Sequence, residues 1–169
     1  MSKSDKPLVL SPHLVSPKGA ELSEFEFSMI VCWNAFTRWL VKGASATDVG
    51  EMNFLDVVVL HQLKHRSKNK KVADICFVLN FDDVHVVTYS LKKLVAARLA
   101  IGEKVGKEVL YRTTEAGEAA IESYRQVREQ CLMSNVDDAL NTHLRELASS
   151  LGNLTSLYER AARSASTLR

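Results

Sequence analysis

The chain has 169 residues, 46% of them hydrophobic and 25% charged, with seven Gly and three Pro. This suits one domain with a real core and excludes wholesale disorder, collagen-like repeats and a long turn-rich β architecture. No apolar run exceeds five residues, so no bilayer-spanning helix is expected, and the start MSKSDKPLVL lacks the apolar stretch of a secretory signal. The net charge of +2 conceals an asymmetry: His61 to Thr113 holds eleven Lys/Arg against five Asp/Glu, a balance of +6. A basic middle between acidic flanks is what a polyanion partner requires, although a solvated basic loop has the same composition.

Residues 1–21 carry Pro7, Pro12 and Pro17 among Leu8, Val9, Leu10, Leu14 and Val15. Proline excludes helix there, so we read an extended arm that packs on something apolar. Residues 22–42 read as a helix capped by Ser23 or an earlier residue. Phe25, Met29, Cys32, Phe36 and Leu40 form its stripe, which Ile30, Trp33 and Trp39 widen beyond one buried side. Gly43 to Gly50 is a small-residue loop. Asn53 is an N-cap with Asp56 in the capping-box position, opening a helix from Phe54 to about His65. The basic segment Lys64-His65-Arg66-Ser67-Lys68-Asn69-Lys70-Lys71 follows.

A short helix from about Lys71 to Leu79, the turn Asn80-Phe81-Asp82-Asp83 and a second helix from Val84 to about Arg98 make a helix-turn-helix pattern. Val84, Val87, Leu91, Leu94 and Val95 form the apolar face of the second helix; His85, Thr88, Tyr89 and Lys92 occupy another. Leu99–Val105 and Glu108–Thr113 around Gly106-Lys107 read as a β-hairpin. Thr114 caps a helix from Glu115 to about Leu132. Ser134 with Asp137 supplies a capping box for a last helix over about 135–164. In it Leu140, Leu144, Leu147, Leu151, Leu154, Tyr158 and Ala161 alternate in steps of four and three, a heptad seam with Gly152 inside it.

The fold class is therefore mainly α, a winged helix-turn-helix with a small hairpin wing and long flanking helices. The chain resembles the MarR family of bacterial transcription regulators over roughly residues 24–165. Val87–Leu99 looks like the family's recognition helix and its exit into the wing, and Thr113-Thr-Glu-Ala-Gly117 looks like its LTExG segment. The wing is shorter than in most members and lacks their DRR-like signature; Tyr89 stands where an Arg is usual.

The resemblance implies a homodimer reading a pseudo-palindromic duplex, with a DNA-binding lobe at about 53–113. The expected DNA contacts are His85, Thr88, Tyr89 and Lys92 on the recognition helix, Lys64, Arg66, Lys68, Lys70 and Lys71 at its approach, and Lys104, Lys107 and Arg112 on the wing. Leu140, Leu144, Leu147, Leu151, Leu154 and Tyr158 would hold the dimer. Trp33, Phe36, Trp39 and Tyr111 are the candidates to line the pocket of a small-molecule effector, with aromatic core as the favoured reading of each.

A winged-helix protein-interaction module that has lost DNA reading is the alternative, favoured by the short wing and by Asp82-Asp83. No GxSxG, P-loop, GxGxxG or CxxC motif marks an enzyme, and no cofactor is expected. His61 and His65 have a metal-ligand spacing, but no third ligand lies near them in sequence, so no metal is expected. Cys32, Cys76 and Cys131 read as reduced thiols of a cytoplasmic protein, with Cys131 the more exposed to oxidants.

Overall fold

The computed structural model describes residues 19–47, 49–67 and 69–168. The proline arm, except for its last three residues, and Lys68 lie outside these. The chain divides into two compact units, one up to Arg125 and one from Gln126. No helix among the described residues is long and apolar enough to cross a membrane.

The first unit begins with α1 (Ala20–Ser45), longer at both ends than the spacing of its apolar residues predicts. Ser23 is not its cap. It lies in the first turn, where its N–H donates to the Gly19 carbonyl at 3.1 Å, and no side chain caps this end. Helix α2 (Phe54–Lys64) opens on the expected box: Asn53 Oδ1 accepts from the Asp56 N–H at 2.9 Å, and Asp56 Oδ2 accepts from the Asn53 N–H at 3.0 Å. Met52 and Val57 flank that cap in one apolar cluster, as a hydrophobic staple would place them. A 3-10 turn, His65–Ser67, ends α2 with Arg66 at φ 62°.

Helix α3 (Val72–Leu79) ends on Asn80 in the left-handed region, and α4 (Val84–Ala96) opens on Asp83, whose carboxylate accepts from the His85 N–H at 2.8 Å. Strands β1 (Ala100–Val105) and β2 (Glu108–Thr113) pair antiparallel, with Ala100 opposite Thr113 and Val105 opposite Glu108. Gly106 sits at the tip with φ 63°, the positive angle such a two-residue turn demands. One further backbone pair widens the wing: Lys70 and Tyr111 exchange N–H···O bonds of 2.9 and 2.8 Å. Helix α5 (Glu115–Cys131) opens on Thr114, whose hydroxyl accepts from the Gly117 N–H at 3.0 Å.

Two apolar clusters hold this unit. Val59, Leu60, Leu63, Ile75, Val87, Leu91, Leu94 and Leu99 form the larger; Leu40, Ala44, Val57 and Tyr124 form the smaller. Val84 and Val95 do not join the buried face of α4, as the pattern of apolar residues would have it; they are 47% and 39% exposed, and Ser90 is buried instead. Gly117 has a packing reason to be glycine. A Cβ there would lie 2.0 Å from the Leu99 carbonyl oxygen, so α5 lies against the backbone that leaves α4.

In the second unit a 3-10 turn, Met133–Asn135, precedes α6 (Asp138–Ser166). Asp137 alone caps α6, accepting from the Leu140 N–H at 2.7 Å; Ser134 falls in the turn and forms no capping box. The helix runs unbroken through Gly152, and none of its residues is buried. The heptad leucines Leu140, Leu144, Leu147 and Leu151 are exposed, and Leu154 and Tyr158 half-exposed.

Candidate nucleic-acid interface

The recognition face is set by what α4 buries. Val87, Leu91 and Leu94 point into the core, so the opposite side presents His85, Tyr89 and Lys92, with Thr88 at its flank. Tyr89 is 69% exposed. The Thr88 hydroxyl donates to the Val84 carbonyl at 2.8 Å, and the residue is half-buried.

Helix α4 is fixed from behind by a group the sequence shows only as a cap. Asp56 is fully buried, and besides capping α2 it receives the Ser90 hydroxyl at 2.9 Å and the Lys93 ammonium at 2.7 Å. One carboxylate thus joins the start of α2 to the middle of α4. Lys93 is spent on that bond, leaving Lys92 as the cation of the reading face.

The basic approach segment divides by partner. Lys64 pairs with Glu118 at 2.8 Å and holds that carboxyl below its ordinary pKa through their hydrogen bond and charge. Lys71 pairs with Glu108 of the wing, which raises its own pKa. Lys70 donates to the Leu63 and His65 carbonyls at 3.2 and 2.5 Å, closing the C-terminus of α2. These three lysines therefore brace the lobe, and Arg66, alone of the described approach cations, has neither a side-chain hydrogen bond nor an ion pair to a described residue.

On the wing, the strand register puts Lys104 on the face of Val109 and Tyr111, and Arg112 on the opposite face with Ile101. Lys107 stands at the tip. The three wing cations thus do not share one surface.

The expected pocket residues are not gathered. Trp33 and Phe36 pack on Phe54, with ring centroids 4.9 and 6.5 Å away, while Tyr111 belongs to the larger core cluster. Phe54, at the first position of α2, completes this aromatic group and went unnoticed in the sequence because its partners lie on another helix. His61 packs edge-on against Tyr124, and burial lowers its pKa. His65 falls beyond the end of α2, so the two histidines do not share the helical face their spacing implies. Among the described residues no group of three or more His, Cys, Asp or Glu is placed to hold a metal. Cys32 and Cys131 are exposed; Cys76 is buried, which pushes its thiol pKa up.

Residues 52–117, the capped start of α2 through the wing to Gly117, match the sequence family described as winged helix DNA-binding domain. No curated protein sequence matches the chain. Among solved structures, an E. coli MarR mutant complexed with operator DNA is similar with a TM-score of 0.64 and 19% identity, over 80% of this chain and 99% of that one. Reduced AbfR bound to DNA, a protein also solved from Staphylococcus epidermidis, gives 0.63 and 17%, over 80% and 94%. BpsR of Bordetella bronchiseptica, described for regulation of its DNA binding by 6-hydroxynicotinic acid, gives 0.59 and 18%, over 74% and 98%. Residues 52–117 are therefore similar to the winged helix DNA-binding family, and the chain shares the fold of these MarR-type structures.

Proposed function

We propose that the chain is a dimeric transcription regulator that binds duplex DNA, with α4 in the major groove and the wing beside it. The observation that carries the reading is the α4 face itself. His85, Thr88, Tyr89 and Lys92 are turned outward, and the helix behind them is locked by the buried Asp56 bonds to Ser90 and Lys93. A rigid, outward-facing second helix is what groove reading needs. Arg66, Lys68, Lys92, Lys104, Lys107 and Arg112 supply the phosphate contacts, since Lys64, Lys70 and Lys71 have internal work.

The dimer rests on surface left uncovered within each unit. Met29, Ile30, Trp33 and Phe36 of α1 and Leu140, Leu144, Leu147 and Leu151 of α6 are exposed large apolar side chains, and a two-fold partner would bury both sets. The proposal extends to a small-molecule effector. The aromatic group of Trp33, Phe36 and Phe54 offers half-exposed ring surface where α1 meets α2, and BpsR is a structural relative whose DNA binding is regulated by such a molecule.

The test is the salt dependence of binding to a duplex. With three or four of the six phosphate-contacting cations on phosphates at once in each protomer, a dimer has a log K against log salt slope of roughly −5 to −7. Lys107→Ala lowers affinity for all sequences alike and flattens the slope by about 1 per protomer. A flat response, or no duplex bound at low salt, refutes the reading and leaves the protein-interaction alternative.

A further inference from the structure

Resting on the DNA-binding reading, we propose that α4 selects thymine through its C5-methyl group and discriminates against guanine. The residues responsible are Val84, Thr88 and Tyr89 in its first two turns. The major groove offers guanine N7 and O6, which Arg or Lys grips, adenine N6 and N7, which Asn or Gln grips, the cytosine amino group, which Asp or Glu accepts, and the thymine methyl, which apolar groups contact. The first two turns of α4 carry no Asn, Gln, Asp or Glu, and they are best equipped for the methyl. Residues 84–90 contain no Lys or Arg. Lys92 comes a full turn later than Thr88, and the ammonium of Lys93 is held by Asp56 at 2.7 Å.

What that end does present is apolar. Val84 is 47% exposed although it is a β-branched aliphatic residue on a packed helix, and Tyr89 offers its ring. Val84 and Thr88 are i, i+4 neighbours on one flank of the helix, and Tyr89 is the i, i+4 neighbour of His85 on its outward face. The Thr88 hydroxyl donates its hydrogen to the Val84 carbonyl at 2.8 Å, which leaves this half-buried residue a methyl and an oxygen lone pair to offer and no free donor. Of the polar groups here, His85 can give one N–H to a purine N7, which adenine and guanine share. Asp82, exposed just before the helix, repels the paired acceptors of guanine. Charge and shape therefore agree on an A·T-rich half-site read from its methyl side.

Deoxyuridine separates the methyl from everything else, because it pairs like thymidine and lacks only that group. The full-length protein is used to select duplexes from a library with a randomised core. The enriched half-sites are then remade with deoxyuridine at single thymine positions. We expect thymine to be enriched, each contacted methyl to be worth about fourfold in affinity, and deoxyuridine outside the half-sites to have no effect. Tyr89→Phe keeps the thymidine preference at its position, because the ring and not the hydroxyl reads it, and Tyr89→Ala loses it. Enrichment of guanine, or equal affinity for thymidine and deoxyuridine duplexes, with salt-dependent binding intact, overturns the methyl reading and leaves DNA binding standing. Failure to retain any duplex at low salt overturns DNA binding itself and this inference with it.

Discussion

Replacing Asp56 with Ala removes three hydrogen bonds at one buried point. The Asn53 N–H loses its acceptor at 3.0 Å, the Ser90 hydroxyl at 2.9 Å and the Lys93 ammonium at 2.7 Å. Ser90 is 1% exposed, so its orphaned hydroxyl costs about 1–3 kcal/mol. The weakened cap adds about 1 kcal/mol. Lys93 is 39% exposed and turns to water, so its share is no more than about 1 kcal/mol. The variant should therefore lose roughly 2–5 kcal/mol, read from urea denaturation by circular dichroism at one fixed protein concentration. Adding Ser90→Ala removes the orphan, so the double variant should be more stable than the two single losses predict, with a coupling of about 1–2 kcal/mol. Binding to any duplex should fall as well, because α4 loses its anchor. A loss below about 1 kcal/mol for Asp56→Ala, or strict additivity with Ser90→Ala, would refute the role given to this carboxylate.

Leu147→Asp places a charge in the exposed heptad stripe of α6; the wild type should sediment at twice the chain mass and the variant as a monomer or an aggregate, whereas a wild-type monomer at micromolar concentration sinks the dimer. Burial depresses the folded-state pKa of His61, so the unfolded chain binds the proton more readily. Its contribution to stability is complete above the ordinary histidine pKa of about 6.5 and declines as pH falls from there toward the lower folded value; His61→Gln should flatten that part of a stability-against-pH curve. Gly117→Ala and Gly152→Ala should have opposite signs. The first drives a Cβ to 2.0 Å from the Leu99 carbonyl and should cost more than about 2 kcal/mol, while the second meets nothing within 4 Å and should gain about 1 kcal/mol of helix propensity, both read as shifts in denaturation midpoint.

Local chemistry was legible in the sequence, apart from the caps read at Ser23 and Ser134, and distant chemistry was not. The Asn53 cap, the turn from Asn80 to Asp83, the Gly106 hairpin tip and the Thr114 cap all act within four residues, and each falls where its residue type requires. Asp56 shows the boundary: its bond to Asn53 spans three residues and could be read, whereas its bonds to Ser90 and Lys93 span 34 and 37 and could not. The basic segment misled for the same reason. Its charges are visible locally, but the carboxylates that occupy Lys64 and Lys71 come from α5 and β2. Val84 and Val95 were assigned to the core by hydrophobicity alone, and the packing of α4 places them at its edges instead. The leucine stripe of α6 and the apolar residues Met29, Ile30, Trp33 and Phe36 of α1 are legible as spacing, and both sets are exposed in the chain.

The root of the hairpin has a consequence for how this domain can vary. Its two legs are tied together before it begins: the Thr114 N–H donates to the Leu99 carbonyl at 3.1 Å, the Thr114 hydroxyl donates to the Arg98 carbonyl at 2.7 Å, and Ala100 faces Thr113 in the first rung. Helices α4 and α5 are thus clasped to each other whatever lies between them. Residues inserted or removed at Gly106-Lys107 change the span of a closed loop, a cost that grows only with the logarithm of its length, and leave the clasp untouched. Wing length is in this sense a free parameter of the domain. A hairpin as brief as this one is compatible with an intact lobe, and the reach of the lobe along a groove can be lengthened or cut back by grafting at the tip without refolding either helix.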